Sequence, residues 1–221
     1  MSGESQGYTY PYPRPAVTVD AAVLRPAAAG IEILLIQRGH EPFAGRFALP
    51  GGFLDMDEEP VAGAARELGE ETGISGLDLA PLMAAGKVGR DPRARCITLI
   101  FGALVKGDDL HPRGGDDASH AGWYPLTAPP AMAFDHADLI HEIAEHLRWQ
   151  AATAIVGRRL WPEGFEPGAL VALHRSILGQ AADDPIERGM RLGLLEPVPP
   201  GQRYRFRPRP APLPDWHPLV W

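Results

Sequence analysis

Residues Gly52 to Ile74 read GFLDMDEEPVAGAARELGEETGI, and the rest of the chain is arranged around them. Pro60 suits the first turn of a helix and Gly73 the position just past its end, so the stretch predicts a helix over about residues 60–72. Val61, Ala64, Ala65 and Leu68 fall at i, i+3, i+4 and i+7 and predict its buried stripe. At about 100° per residue, Glu67, Glu70 and Glu71 share an adjacent arc of roughly 100°. Three carboxylates so close repel one another. Between Asp55 and Glu71 seven acidic residues face the single basic Arg66, a density that a folded surface holds best with divalent cations bound. All-oxygen donors suit Mg²⁺ or Mn²⁺, and Mg²⁺ keeps waters and takes further ligands from substrate phosphates. The bland alternative is a solvated acidic face. Two neighbours weigh against it: the Leu49-Pro50-Gly51-Gly52 turn can bring backbone carbonyls to the helix, and Arg66 can orient a carboxylate through its fork of donors.

The order of fixed residues is long: Gly52, five residues, Glu58, seven residues, Arg66-Glu67-Leu68, one residue, Glu70-Glu71, one residue, Gly73 and an aliphatic. This stretch resembles the signature of the Nudix hydrolases, which cleave nucleoside diphosphates linked to another group. The resemblance implies that Glu70 and Glu71 are the principal metal ligands and that Glu67 is a ligand or the general base. It implies that a carbonyl of the Gly51-Gly52 loop completes the metal shell, with Glu58 and Arg66 in support.

Outside that stretch the composition is ordinary for a globular protein: 221 residues, 45% apolar and 22% charged. The single cysteine, Cys96, excludes an intramolecular disulfide and lies in the apolar run Cys96 to Phe101, so it reads as a core residue. No run of 18 apolar residues occurs and the start lacks a charged-then-apolar leader; a cytoplasmic protein with no membrane partner is expected. The net charge of −7 comes from residues 1–135, with 18 acidic and 11 basic side chains, whereas residues 136–221 carry ten of each. That asymmetry suggests two units.

Residues 1–15 are rich in Pro, Gly and Tyr and predict an extended arm, seated on a partner subunit or free as a tail. Val17 to Leu24 and Ile31 to Gln37 predict a hairpin, and Phe47-Ala48-Leu49 a short strand entering the glycine turn. Arg38 and Arg46 flank the loop between them, a place suited to phosphate recognition, with a surface salt bridge as the alternative. Strands are expected within Leu77 to Val88 and over Cys96 to Val105. The turn between them holds Arg90, Arg93 and Arg95; Arg90 and Arg93 are candidates for clamping a second phosphate or the distal sugar, with a charged hairpin tip as the alternative. Asp108, Asp109, Asp116 and Asp117 precede a strand near Trp123, which reads as a core anchor, with stacking against a base as the alternative. The resemblance implies that an acidic residue from outside the helix joins the site, and these four are the candidates.

These elements predict an α/β protein with the Nudix α/β/α sandwich and a mixed sheet over residues 16–135. Residues 136–221 then predict three helices, Asp138 to Trp149, Pro167 to Leu178 and Asp184 to Leu192, and a hairpin over Leu194 to Arg207, the order of a winged helix-turn-helix. His141 and His146 are five apart and do not share a face, which excludes the zinc motif they superficially suggest. The whole arrangement resembles Nudix proteins with such an extension, including the Nudix-related transcriptional regulators of NAD metabolism. DNA is not the favoured partner: Asp184 to Leu192 offers two arginines against two acids and contains Gly189. Arg203, Arg205, Arg207 and Arg209 at alternate positions are the contrary signal. The resemblance favours ADP-ribose as the substrate, split to AMP and ribose 5-phosphate with Mg²⁺. Gly89 stands where many ADP-ribose enzymes have a proline, and Pro92 lies nearby. A homodimer is the expected assembly.

Overall fold

The computed structural model describes residues 10–107, 109–115, 117–179, 184–199 and 202–208. Nine strands and four helices are described: β1 Ala16–Ala27, β2 Gly30–Arg38, β3 Phe47–Ala48, β4 Gly51–Phe53, α1 Pro60–Thr72, β5 Ala80–Ala85, β6 Cys96–Leu104, β7 Ala118–Pro125, α2 His136–Thr153, α3 Pro167–Leu178, α4 Pro185–Arg191, β8 Leu195–Val198 and β9 Arg203–Phe206. The first seven strands form one mixed sheet, ordered β3-β2-β1-β6-β5, with β4 also on β1 and β7 also on β2.

β1 decides where the cleft lies. It runs parallel to β6 over the whole of β6, Ala16 opposite Cys96 through Leu24 opposite Leu104. Its other edge changes partner: Thr18 to Asp20 pair with β4, and Leu24 to Ala27 pair with β2. The glycine turn enters the sheet at that change. Alternate residues of β1 face opposite sides. Val19, Ala21 and Val23 join one buried cluster with Ala64, Leu68, Ile74 and Leu79, so α1 covers that face. Ala22 and Leu24 join the other with Ile33, Ile100, Leu139, Ile140 and Ile143, so α2 covers the opposite face. Burying a leucine such as Leu68, nearly inaccessible here, contributes about 2 kcal/mol.

One sequence expectation needs correction. The buried stripe of α1 is Gly63, Ala64, Leu68, Glu71 and Thr72; Val61 is 41% exposed and Ala65 is also exposed. Val61 lies in the first turn, beyond the reach of the core, and the helix is rolled so that Glu71 points inward. α2 is the first helix after residue 135. Its Leu139, Ile140, Ile143, Ala144 and Leu147 are inward as expected and pack with Leu24, Ile33 and Ile100 of the sheet. α3 faces both ways: Leu173 and Ile177 belong to the sheet core, and Leu170 packs with Ile155, Phe165, Ile186 and Leu195 in a small separate core.

The hairpin of β8 and β9 pairs Leu195 with Phe206 and Val198 with Arg203. Arg188 of α4 is buried and donates through Nη1 to the carbonyls of Ala151 (2.6 Å) and Ala152 (2.5 Å), capping the last turn of α2. Cys96 is a buried free thiol. No helix among the described residues is long and apolar enough to cross a membrane. Residues 1–9 of the arm, Asp108, Asp116, Arg209 and the tail from Ala211 lie outside the described residues.

Candidate active site

A cleft of about 350 Å³ opens where β1 changes partner, bounded by the glycine turn, α1, the loop at residues 90–93, and Phe134 and His136. Close approach requires glycine at position 51 and makes it the fitting residue at 52. A Cβ on Gly51 would lie 2.3 Å from the Val19 carbonyl oxygen, and one on Gly52 would lie 2.3 Å from Glu67 Oε1. Gly51 N–H donates to Glu71 Oε2 at 2.9 Å, which ties the turn to the helix.

The three helical carboxylates occupy one arc, graded from core to solvent. Glu71 is 7% exposed. The Glu67 side chain is 14% exposed and that of Glu70 43%. Burial pushes the Glu71 carboxyl up to about 8; Glu67 and Asp20 add to this, while the Gly51 hydrogen bond and Arg38 oppose it. Burial also raises Glu67, against the pull of Arg66. Arg66 is the hub. It donates from Nε to Glu58 Oε2 (3.1 Å), from Nη2 to Glu58 Oε1 (2.7 Å), and from Nη1 to Glu67 Oε1 (2.9 Å) and Glu70 Oε2 (3.0 Å). Glu58, held below the usual carboxylate range by Arg66, also accepts from Asp55 N–H.

Of the residues singled out from the sequence, Gly51, Gly52, Arg66, Glu67, Glu71, Arg38, Arg90 and Arg93 line the cleft. Glu70 reaches it through Arg66, and Glu58 supports Arg66 from behind. Arg46 is exposed and outside the cleft wall, because the Arg38 to Arg46 loop closes on itself by backbone bonds and turns that side chain outward. Arg90 is not a free cation: its side chain is 5% exposed and bonded to both Asp135 oxygens, at 3.0 and 2.9 Å. Arg38 and Arg93 are the accessible pair. Arg38 lies 4.9 Å over the Phe134 ring, and Arg93 lies over Phe53 and Phe134 while also pairing with Asp91. Among the described loop aspartates, Asp117 lines the cleft and Asp109 does not.

The cleft residues that the sequence reading did not single out include Asp20, Phe134 and His136. Asp20 carried a signal, a lone acid inside the apolar run Val17 to Leu24, and it accepts from Thr98 Oγ1 in the buried sheet. Phe134 and His136 carried none, since they sit at a helix start distant in sequence. Among the described residues no three His, Cys, Asp or Glu side chains converge as a closed ligand set. The donor chemistry nonetheless fits a hard divalent cation: the available side-chain donors are carboxylates, and the buried Glu71 lacks a full cationic partner.

Residues 14–143 match the NUDIX domain family. The chain belongs to the Nudix family. This Nudix protein is 37% identical over 139 residues to an ADP-ribose pyrophosphatase of Methanocaldococcus jannaschii, covering 63% of the chain and 77% of that relative. It is 30% identical over 209 residues to the ADPR responsive transcriptional repressor NtrR of Acinetobacter baylyi, covering 88% of the chain and 83% of the relative. Its fold matches the crystal structure of Shewanella oneidensis NrtR complexed with a 27mer DNA, with a TM-score of 0.64 and 26% identity over 86% of this chain and 93% of that one. The last two matches extend beyond the Nudix domain, in keeping with an added C-terminal unit.

Proposed function

We propose that this Nudix protein hydrolyses ADP-ribose to AMP and ribose 5-phosphate with Mg²⁺, or Mn²⁺ in its place. The observation that carries the reading is the buried Glu71 carboxyl, raised to about 8 and bonded to the glycine turn within a complete signature helix. The pyrophosphatase relative supports the choice of substrate. Glu67, Glu70, Glu71 and the Gly52 carbonyl would hold the cation, which supplies charge neutralisation at the diphosphate when bound. Arg66 keeps Glu67 and Glu70 aligned. Arg38 and Arg93 bind the phosphate oxygens, and the Arg90–Asp135 pair fixes the wall behind them. Water attacks one phosphorus, the bridging P–O bond breaks, and Glu67 accepts the water's proton. Arg46 is left without a role in this scheme.

Product analysis tests it: the protein with Mg²⁺ is incubated with ADP-ribose, NADH, nucleotide sugars and nucleoside triphosphates, with Glu70→Gln as the control. AMP and ribose 5-phosphate from ADP-ribose, absent in the control, is the expected result. No AMP from any substrate would overturn the reading.

A second reading, a regulator that binds an ADP-ribose-like ligand and DNA, is favoured by the NrtR match over the C-terminal unit. In it residues 136–221 act as a winged-helix-like domain appended to residues 16–135, in a cytoplasmic homodimer. Against it, Arg188 is buried, and Arg205 and Arg207 pair with Glu196. Salt-sensitive, sequence-selective DNA binding lost in Arg205→Ala with Arg207→Ala would establish this reading.

A further inference from the structure

Three consecutive residues, Phe134, Asp135 and His136, lead into α2 and reach three parts of the cleft. Phe134 has a φ of 49°, a left-handed conformation that phenylalanine rarely adopts. Asp135 grips Arg90. His136 turns the other way, to the glycine turn.

The His136 side chain is 7% exposed, and its Nδ1 lies 3.0 Å from the Leu49 amide nitrogen. Because that N–H donates to Nδ1, the proton of the neutral ring sits on Nε2, which faces Asp20 Oδ1 at 4.0 Å. Burial first, then the charges of Arg90 and Arg38, favour the neutral ring against the pull of Asp20 and Asp135. The next two residues of the turn are held as well. Ala21 N–H donates to the Pro50 carbonyl at 2.8 Å, and Gly51 N–H donates to Glu71. On the strand side there is no slack, as the approach of Gly51 to Val19 shows. The Gly51 N–H that meets Glu71 is thus two residues from an amide pinned by a different helix.

We propose that His136 is a positioning residue: its Nδ1 lone pair anchors the Leu49–Gly51 turn to α2 and, through Gly51 N–H, sets the Glu71 carboxylate in the cleft. The inference rests on Glu71 being a working carboxylate of the hydrolase. It names the lone pair, and not the bulk of the ring, as what matters.

Amide hydrogen exchange of the full chain in the absence of divalent ions tests the anchor. His136→Phe keeps a ring without an acceptor; His136→Asn puts a carbonyl oxygen close to where Nδ1 was. In His136→Phe the Leu49 and Gly51 amides should exchange about tenfold faster or more, with β1 and β6 still protected. His136→Asn should recover most of that protection. Mn²⁺ titration followed by water proton relaxation should show affinity falling by about tenfold in His136→Phe and recovering in His136→Asn. Unchanged Leu49 and Gly51 exchange in His136→Phe, or equally fast exchange in both variants, overturns the inference. If His136→Phe also loses protection in β1 and β6, His136→Asn decides: parental exchange supports the anchor and fast Leu49 and Gly51 exchange overturns it. A parent protein that binds no Mn²⁺ and releases no AMP removes the hydrolase reading, while the exchange comparison still decides the anchor.

Discussion

Glu71→Gln separates the charge of the buried carboxyl from its shape. In the cation-free protein Glu71 holds its proton up to about pH 8, whereas the unfolded chain releases it near 4.5. Between those values the folded state binds a proton that the unfolded state lacks. Stability is therefore highest below the lower value, falls as pH rises through the window, and is flat above it. At about 1.4 kcal/mol per pH unit, the ceiling on this loss is on the order of 5 kcal/mol, and relaxation of the cleft lowers it. Glutamine is neutral throughout and keeps an oxygen for Gly51 N–H. Urea denaturation in EDTA, followed from about pH 5 to about pH 9, should show the variant gaining on the parent by about 2–4 kcal/mol. Added Mg²⁺ binds the ionised form, so it should stabilise the parent above neutral pH and leave the variant unchanged. A stability difference that stays flat with pH, or that turns in favour of the parent without metal, would refute the assignment of Glu71 as a buried, uncompensated acid.

The two glycines of the turn should respond differently. Gly52→Ala meets only the mobile end of Glu67 and should keep the fold while lowering turnover by about tenfold or more, whereas Gly51→Ala meets the Val19 backbone and should cost about 2 kcal/mol or more in thermal or urea denaturation. Arg66→Lys retains the charge but loses the fork that joins Glu58, Glu67 and Glu70; steady-state kinetics should show kcat falling by about tenfold or more with a stability loss of about 1 kcal/mol. Arg188→Ala uncovers the carbonyls of Ala151 and Ala152 and leaves a cavity, so denaturation should show a loss of about 2–4 kcal/mol, with KM for ADP-ribose unchanged.

Much of the carboxylate-bearing helix was legible in the sequence. Pro60 and Gly73 bound α1 because one lacks an amide hydrogen that the first turn does not use and the other takes the left-handed φ of 71° that ends the helix. The runs Val17 to Leu24 and Ile31 to Gln37 are neighbouring strands of one hairpin, though β1 continues through Pro26 and only Leu24 to Ala27 pair with β2; Asp138 to Trp149 is helical with the expected residues inward. The roll of α1 was not legible. Periodicity admitted Val61 and Ala65 to the buried stripe, but the sheet packs against Ala64 and Leu68 and draws Glu71 in with them.

The cleft divides along the same line. Sequence spacing by itself determined that Glu67, Glu70 and Glu71 share an arc and that Arg66 stands beside them, because helical geometry links residues three and four apart. It also placed glycines where backbone must approach a side chain. Only the tertiary structure decided which carboxylate is buried, that Arg90 is consumed by Asp135 while Arg38 and Arg93 face the cleft, and that Asp20 and His136 meet behind the glycine turn. Those pairings join residues up to 116 positions apart, and no local pattern encodes them. They follow from where β1 changes partners and from α2 crossing the face of the sheet, which the whole core sets at once.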